Sequence, residues 1–466
     1  MDRDVFANLS PLDHRYYASN PELFEELSAN LSENAFVHYQ LEVEAALVRA
    51  LARRGLCSPS IAEEVGRACA EVSPEEVYRE EELTRHNVRA LVNCIQRRVS
   101  TGAQPFVHLT ATSVDILDTA NALRLKKAAE NTLLPRIAAL LRVLIDLARR
   151  ERETPQIGRT HGQHAVPITF GFALAQYVAR LGGRMERIAA AARDLRGKMA
   201  GAVGAYNAGA LFFADPEVFE AEVLAELGLS PAPVSTQIVP PEYVLDFLHA
   251  LVSAHGVLAN LADDLRHLQR TEIAEVAEAF APAQVGSSTM PHKRNPWNFE
   301  HVKSLWKEFM PRMITHYLDQ VSEHQRDLTN SASSRFIPEL LAGLAAAVDR
   351  MEKTLGGLYV DRERMRQNLD LTREDVIAEP LYILLAYMGE PKAHETVRLL
   401  TLEAAGRGMT LRGLLEDRPE RFPFLERMSP AQREILAHPE AYTGRAAAKT
   451  DAVCDHWEKR LAEMGF

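Results

Sequence analysis

Aromatic residues are scarce, at 7% of 466 positions, with three tryptophans. Ala and Leu are abundant instead, and that mixture favours helix over sheet. Cysteine is also sparse: Cys57, Cys69, Cys94 and Cys454 form no CxxC pair, and none stands beside a histidine at metal spacing. A disulfide framework is therefore not expected, and reduced thiols of a cytoplasmic protein are. Basic charge is in deficit, 53 Lys and Arg against 64 Asp and Glu, a formal net charge of −11. Without a basic run or a basic–aromatic stripe, the chain does not read as a nucleic-acid binder. An anionic small molecule remains possible if Arg, Lys and N–H groups gather locally against the global sign. The start, Met1-Asp2-Arg3-Asp4, has no apolar signal core. No apolar run approaches about 18 residues, so no membrane span is expected.

What is present is length and helical periodicity. The chain is long enough for two or three domains and a large core, and 47% hydrophobic with 25% charged residues is a globular balance. Helical patterning with few breakers runs over 115–153, with Pro135 as a kink, and over 167–200, 243–280, 298–323 and 337–355. Helices of that length far exceed the globular mean of about 11–12 residues. The expected fold is all-α: a long central helical bundle over 111–357, flanked by smaller helical domains at 1–110 and 358–466. The last region is punctuated by Pro380, Pro391, Pro419, Pro423, Pro430 and Pro439. In 167–200, Ala173, Leu174, Tyr177, Val178 and Leu181 are followed by Ile188, Ala189, Ala190 and Ala191. A helix apolar on several sides is buried on several sides, which points to a homo-oligomer.

The chemistry-bearing segments fall in the breaks between helices. The first is Gly286-Ser287-Ser288-Thr289-Met290-Pro291-His292-Lys293-Arg294-Asn295-Pro296. Glycine, prolines and adjacent serines describe an irregular loop. It offers hydroxyls, a lysine, an amide and free N–H groups, a set suited to a carboxylate whose charge grows during reaction. The second is Gly158-Arg159-Thr160-His161-Gly162-Gln163-His164-Ala165-Val166-Pro167. His161 and His164 have metal-like spacing, but no third ligand is near in sequence, so no metal is expected. The third is Thr112-Ser113-Val114-Asp115, a capping pattern that also suits carboxylate binding at a helix N-terminus. Thr84-Arg85-His86-Asn87 and the run from Gln325 to Arg335 complete the set. In the latter, Arg326 and Arg335 offer fork-like donors, and Ser331 and Arg335 would share one helix face.

The 286–296 run resembles the signature loop of the fumarase/aspartase superfamily, G-S-S-x-M-P-x-K-x-N-P, with every defined position matched. His292 after Met-Pro, and the Thr-His-Gly-Gln-His-Ala string, resemble the adenylosuccinate-cleaving branch. The resemblance spans Arg15 to about Arg335 and continues more weakly beyond. It implies elimination of fumarate from adenylosuccinate, and from the SAICAR ribotide, without cofactor or metal. In that scheme Ser287 is the base, His161 the acid, and His86 positions substrate and acid. Thr112, Ser113 and Asp115, with Arg85, Thr160, Gln237, Ser288, Met290, Lys293, Asn295, Arg326, Ser331 and Arg335, would bind substrate. Ser10-Pro11-Leu12-Asp13-His14-Arg15-Tyr16 is similar to a phosphate-binding segment, with His14 in place of a glycine, and assigns Arg15 and Tyr16 to a nucleotide phosphate. Asn87 replaces an acid, and Pro240-Pro241-Glu242-Tyr243 lacks the branch's arginine–aspartate. The resemblance further implies a homotetramer with shared sites, in the cytoplasm. The alternatives are another superfamily lyase or a carboxymuconate-type cycloisomerase, and a non-catalytic, crystallin-like tetramer.

Overall fold

Pro135 shows how this sequence builds a long helix through a breaker. The computed structural model describes residues 4–466 apart from 282, 323, 327 and 418. In it a helix over Ser113–Ala128 passes into a π-helical turn, Ala129–Leu133, and continues as Leu134–Arg150. Proline has no N–H to give to the preceding turn and its ring crowds that turn's carbonyl. Widening the turn just ahead of Pro135 relieves both problems.

Other long helices are Glu33–Arg53, Phe170–Arg193, Glu242–Leu268, Ile337–Gly356 and Ala446–Glu463, with the shorter Trp297–Phe309 between the third and fourth of these. The helix expected over 298–323 is two, because the chain breaks at Met310 and Pro311 before Arg312–Asp319. The fold is predominantly helical, 67% helix against 5% strand. The largest strand pairing is an antiparallel hairpin of β1 (Pro155–Thr160) and β2 (Gln163–Thr169). Residues 167–169, expected to be helical, belong to β2. The Glu242–Leu268 helix is long and apolar enough to cross a bilayer, yet 61% of its apolar window is buried inside the protein. Burial of that kind is what a core helix requires.

The chain divides into two compact units, and the division falls inside helices. The first holds Met1–Ile137, Gly183–Gly256 and Ser304–Asp349; the second holds Ala138–Gly182, Val257–Lys303 and Arg350–Phe466. In the first, the Glu33–Arg53 helix packs on Pro59–Glu71 and on Ser113–Ala128. Its inward residues, among them Val43, Ala46, Leu47, Ala50 and Leu51, are wholly buried. In the second, the hairpin packs on the Arg362–Asp370 helix. A separate core follows it, built from Ile377, Leu381, Leu385, Val397, Leu411 and Leu414.

Candidate active site

In the first unit, His86 sits at a junction of two helices. Arg85 ends Pro74–Thr84 in the left-handed conformation, φ 53°. His86 then caps Asn87–Gln96, its Nδ1 accepting the Arg89 N–H at 3.2 Å. That bond leaves the proton of neutral imidazole on Nε2, as a donor on an exposed ring. Asn87 Oδ1 accepts the Val88 N–H at 2.8 Å, so the departure from an acid at this position is used locally.

Thr112 and Ser113 open the next helix. Thr112 is its N-cap and both residues are partly exposed, at the helix end whose dipole favours an anion. Asp115 takes a different place from the one expected. It is wholly buried, accepts the Thr112 N–H at 2.7 Å and the Ala200 N–H at 3.1 Å, and pairs with the wholly buried Lys198 ammonium. Its oxygens are occupied by protein donors, so it supports Thr112 and Ser113 from beneath instead of meeting a ligand.

Asp118, one turn further, went unnoticed in the sequence. Its Oδ2 accepts the Val239 N–H at 2.9 Å, which ties the helix to the segment carrying Gln237. Burial pushes its carboxyl up to about 6, against the opposing pull of the Val239 N–H and the Arg326 and Lys198 cations. Gln237 itself lies in a tight turn, with Thr236 N–H donating to the Ile238 carbonyl at 3.1 Å. Gly204 braces that turn: its φ is +78°, and a Cβ would lie 2.0 Å from the Ser235 carbonyl oxygen. Asp118 thus links the helix opened by Thr112 and Ser113 to the segment carrying Gln237, and lies within the electrostatic influence of Arg326. A signal existed in the sequence, since Asp118 lies one turn beyond Asp115 on the same helix.

Arg15 and Tyr16 begin a short helix, Arg15–Ser19, with Arg15 exposed. His14 has φ −128°, so the site of the missing glycine needs no left-handed backbone. Ser331 and Arg335 do not share a helix face as expected. Ser331 lies in a turn, and Arg335 belongs to the following 3-10 helix, Ser333–Phe336.

In the second unit, His161 occupies the tip of the β1–β2 hairpin. Thr160 and Gln163 close the turn, and His161 and Gly162 have φ +54° and +74°. Two consecutive positive φ values make the tight turn that matches strand twist, a conformation Gly162 takes without strain. His161 and Thr160 are exposed there. His164 faces inward, its Nδ1 2.8 Å from the Thr372 hydroxyl. Burial and the Arg159 guanidinium hold it below the ordinary histidine value. Among the described residues no group of three His, Cys, Asp or Glu side chains is arranged to hold a metal ion.

The loop bearing Ser287 is pinned at its neck. Asn295 Nδ2 donates to the Gly286 carbonyl at 2.9 Å. A Cβ on Gly286 would lie 1.9 Å from the Lys293 carbonyl oxygen, so only glycine fits. Below, Glu278 accepts the Asn298 and Phe299 N–H groups at 3.2 and 2.9 Å, anchoring the start of Trp297–Phe309. Ser287 Oγ accepts the Met290 N–H at 3.1 Å and the Thr289 N–H at 3.4 Å. Two N–H dipoles on a hydroxyl oxygen stabilise negative charge there, which makes the hydroxyl a better base precursor. Ser288, Met290 and Lys293 are exposed on the same loop. Among the described residues no hydrogen bond joins His161 to Ser287.

Comparison with known proteins places this arrangement. A family model described as lyase matches residues 14–308, and one described as adenylosuccinate lyase C-terminal matches 322–428. The fold is similar to that of the 3-carboxy-cis,cis-muconate lactonizing enzyme from Pseudomonas putida, with TM-score 0.80 and 28% identity over 95% of this chain and 98% of that one. Fold, hairpin and loop together define a lyase of the fumarase/aspartase superfamily. The adenylosuccinate lyase of Pyrococcus abyssi is 37% identical, covering 96% of this chain and 98% of its own length. That of Pyrococcus horikoshii is 38% identical over the same shares. The chain belongs to the adenylosuccinate lyase family.

Proposed function

We propose that this protein splits adenylosuccinate into AMP and fumarate by anti β-elimination, and cleaves the SAICAR ribotide in the same way. Ser287 takes the proton from the carbon next to a carboxylate. Lys293 and Asn295 stabilise the resulting aci-carboxylate. His161 protonates the departing nitrogen from the opposite face. Carbon–nitrogen cleavage then releases fumarate. Thr112 and Ser113 bind a substrate carboxylate at their helix N-terminus. Gln237, Arg326, Ser331, Arg335, Arg15 and Tyr16 serve the nucleotide and its phosphate, and His86 orients the acid through its Nε2 proton. The observation that carries this reading is the Ser287 hydroxyl held under two backbone N–H groups in a fully matched loop.

His161, Ser287 and His86 reach a common site in a homotetramer, through contributions from different subunits, in the cytoplasm. The exposure of the His161 hairpin supports that assembly. The test is ultraviolet absorbance of purified protein with adenylosuccinate, alongside Ser287→Ala. Loss of substrate with appearance of AMP and fumarate, absent in the variant, is the expected result. A second reading rests on Pro240-Pro241-Glu242-Tyr243, where the prolines lead into the Glu242–Leu268 helix and Glu242 accepts from Gln320 at 2.8 Å. If a folded tetramer does not turn over adenylosuccinate, the substrate is another substituted succinate.

A further inference from the structure

The hairpin that bears His161 is held at two heights. At its base, Glu151 is wholly buried and accepts the Thr154 hydroxyl at 2.7 Å and Arg362 Nε and Nη2 at 2.9 and 2.7 Å. Nearer the tip, Arg159 and His164 face each other one step behind the pair that closes the turn. Each is fastened to a different group. Arg159 forks onto Glu275, a wholly buried carboxylate that also accepts Gln156 Nε2 at 2.7 Å and Asn368 Nδ2 at 2.9 Å. His164 Nδ1 lies 2.8 Å from the Thr372 hydroxyl. Asn368 lies on the Arg362–Asp370 helix, and Thr372 caps the one after it.

The mechanical consequence is specific. Beyond the Arg159–His164 pair only Thr160, His161, Gly162 and Gln163 remain, and the two central residues are committed to positive φ. A turn this short has no slack of its own, so its direction is set by the pair behind it. A proton donor must sit within hydrogen-bond reach of its acceptor, and a misplacement of about 1 Å costs on the order of 100-fold in rate.

We propose that Glu275 and Thr372 are positioning residues for proton transfer: by fastening Arg159 and His164, they aim His161 at the leaving nitrogen. This rests on the role given to His161 above. Neither residue touches substrate, so their loss lowers kcat and leaves KM nearly unchanged.

Thr372→Val removes the hydroxyl and keeps the shape. The expected result is a fall in kcat of about tenfold with KM within about twofold, at an unchanged melting temperature. Thr372→Ser restores the rate. Glu275→Gln shows the same split, and should it fail to fold, Thr372→Val carries the test alone. The two variants are then combined with His161→Gln. If Thr372 acts through His161, adding Thr372→Val to His161→Gln causes no further loss. Wild-type kcat in Thr372→Val, or the same tenfold loss on the His161→Gln background, overturns the proposal. Near-normal activity of His161→Gln alone would instead remove the acid assignment itself, an outcome distinct from the other two.

Discussion

Glu44 has no exposure to water at all, in the middle of the Glu33–Arg53 helix. Its Oε1 lies 2.6 Å from His108 Nδ1. Burial opposes protonation of His108, but the Glu44 carboxylate more than offsets it, and the histidine is raised above its ordinary value. A histidine so raised stabilises the fold fully below its unfolded pKa, about 6.5, and that contribution is lost as pH rises through the folded value. Glu44→Gln should therefore cost on the order of 2 kcal/mol at pH 6 and much less at pH 9, read from urea midpoints at each pH. Equal losses at both would show that the pair is not ionised. Asp115 and Lys198 make the complementary case, a wholly buried ion pair. Lys198→Met should destabilise by about 3–5 kcal/mol in a denaturant titration, because it leaves Asp115 buried without its cation. At this scale the sequence was most informative for groups such as Ser287 and His161, whose neighbours in the chain form the motif. It was least informative for Asp115 and Asp118, because burial and distant partners decide whether a carboxylate meets ligand or backbone.

Elements were legible where periodicity extended over several turns. The helices near 115–153 and 337–355 appear close to their expected limits, and the π turn before Pro135 reconciles a breaker with a continuous helix. The hairpin was not legible, because strand pairing joins residues across a turn and leaves little local pattern in so short a segment. The break at Met310–Pro311 was missed because a helical pattern continues on both sides of it. The Ser287 loop yields the sharpest test here. Gly286→Ala forces a Cβ onto the Lys293 carbonyl. The neck must open, separating Ser287 from Lys293 and Asn295, and kcat should fall at least about 100-fold. The loop is largely exposed, so the melting temperature should shift little. Retention of activity would show that the neck does not position the base.

For the whole molecule, the tetramer proposed above makes its own prediction. His161→Ala and Ser287→Ala subunits, each inactive, should recover part of the wild-type rate when unfolded together and refolded, because some sites would then combine an intact hairpin with an intact loop. The assay is turnover of the mixture against each variant refolded alone. A mixture as inactive as its parts would show that one subunit supplies both residues.

By itself the sequence determined the helical class and the family, and it supplied the groups proposed above to react. Helix periodicity, the 286–296 loop and the Thr-His-Gly string are local features, carried by residues adjacent in the chain. Tertiary structure decided what those groups lean on: Glu275 and Thr372 behind the His161 hairpin, Asp118 behind Gln237, and Lys198 beneath the Thr112–Ser113 helix end. Those partners are separated along the chain by 83 to 208 positions. Only packing brings a buried carboxylate to the donor that stabilises it, and no local pattern in the sequence records that distance.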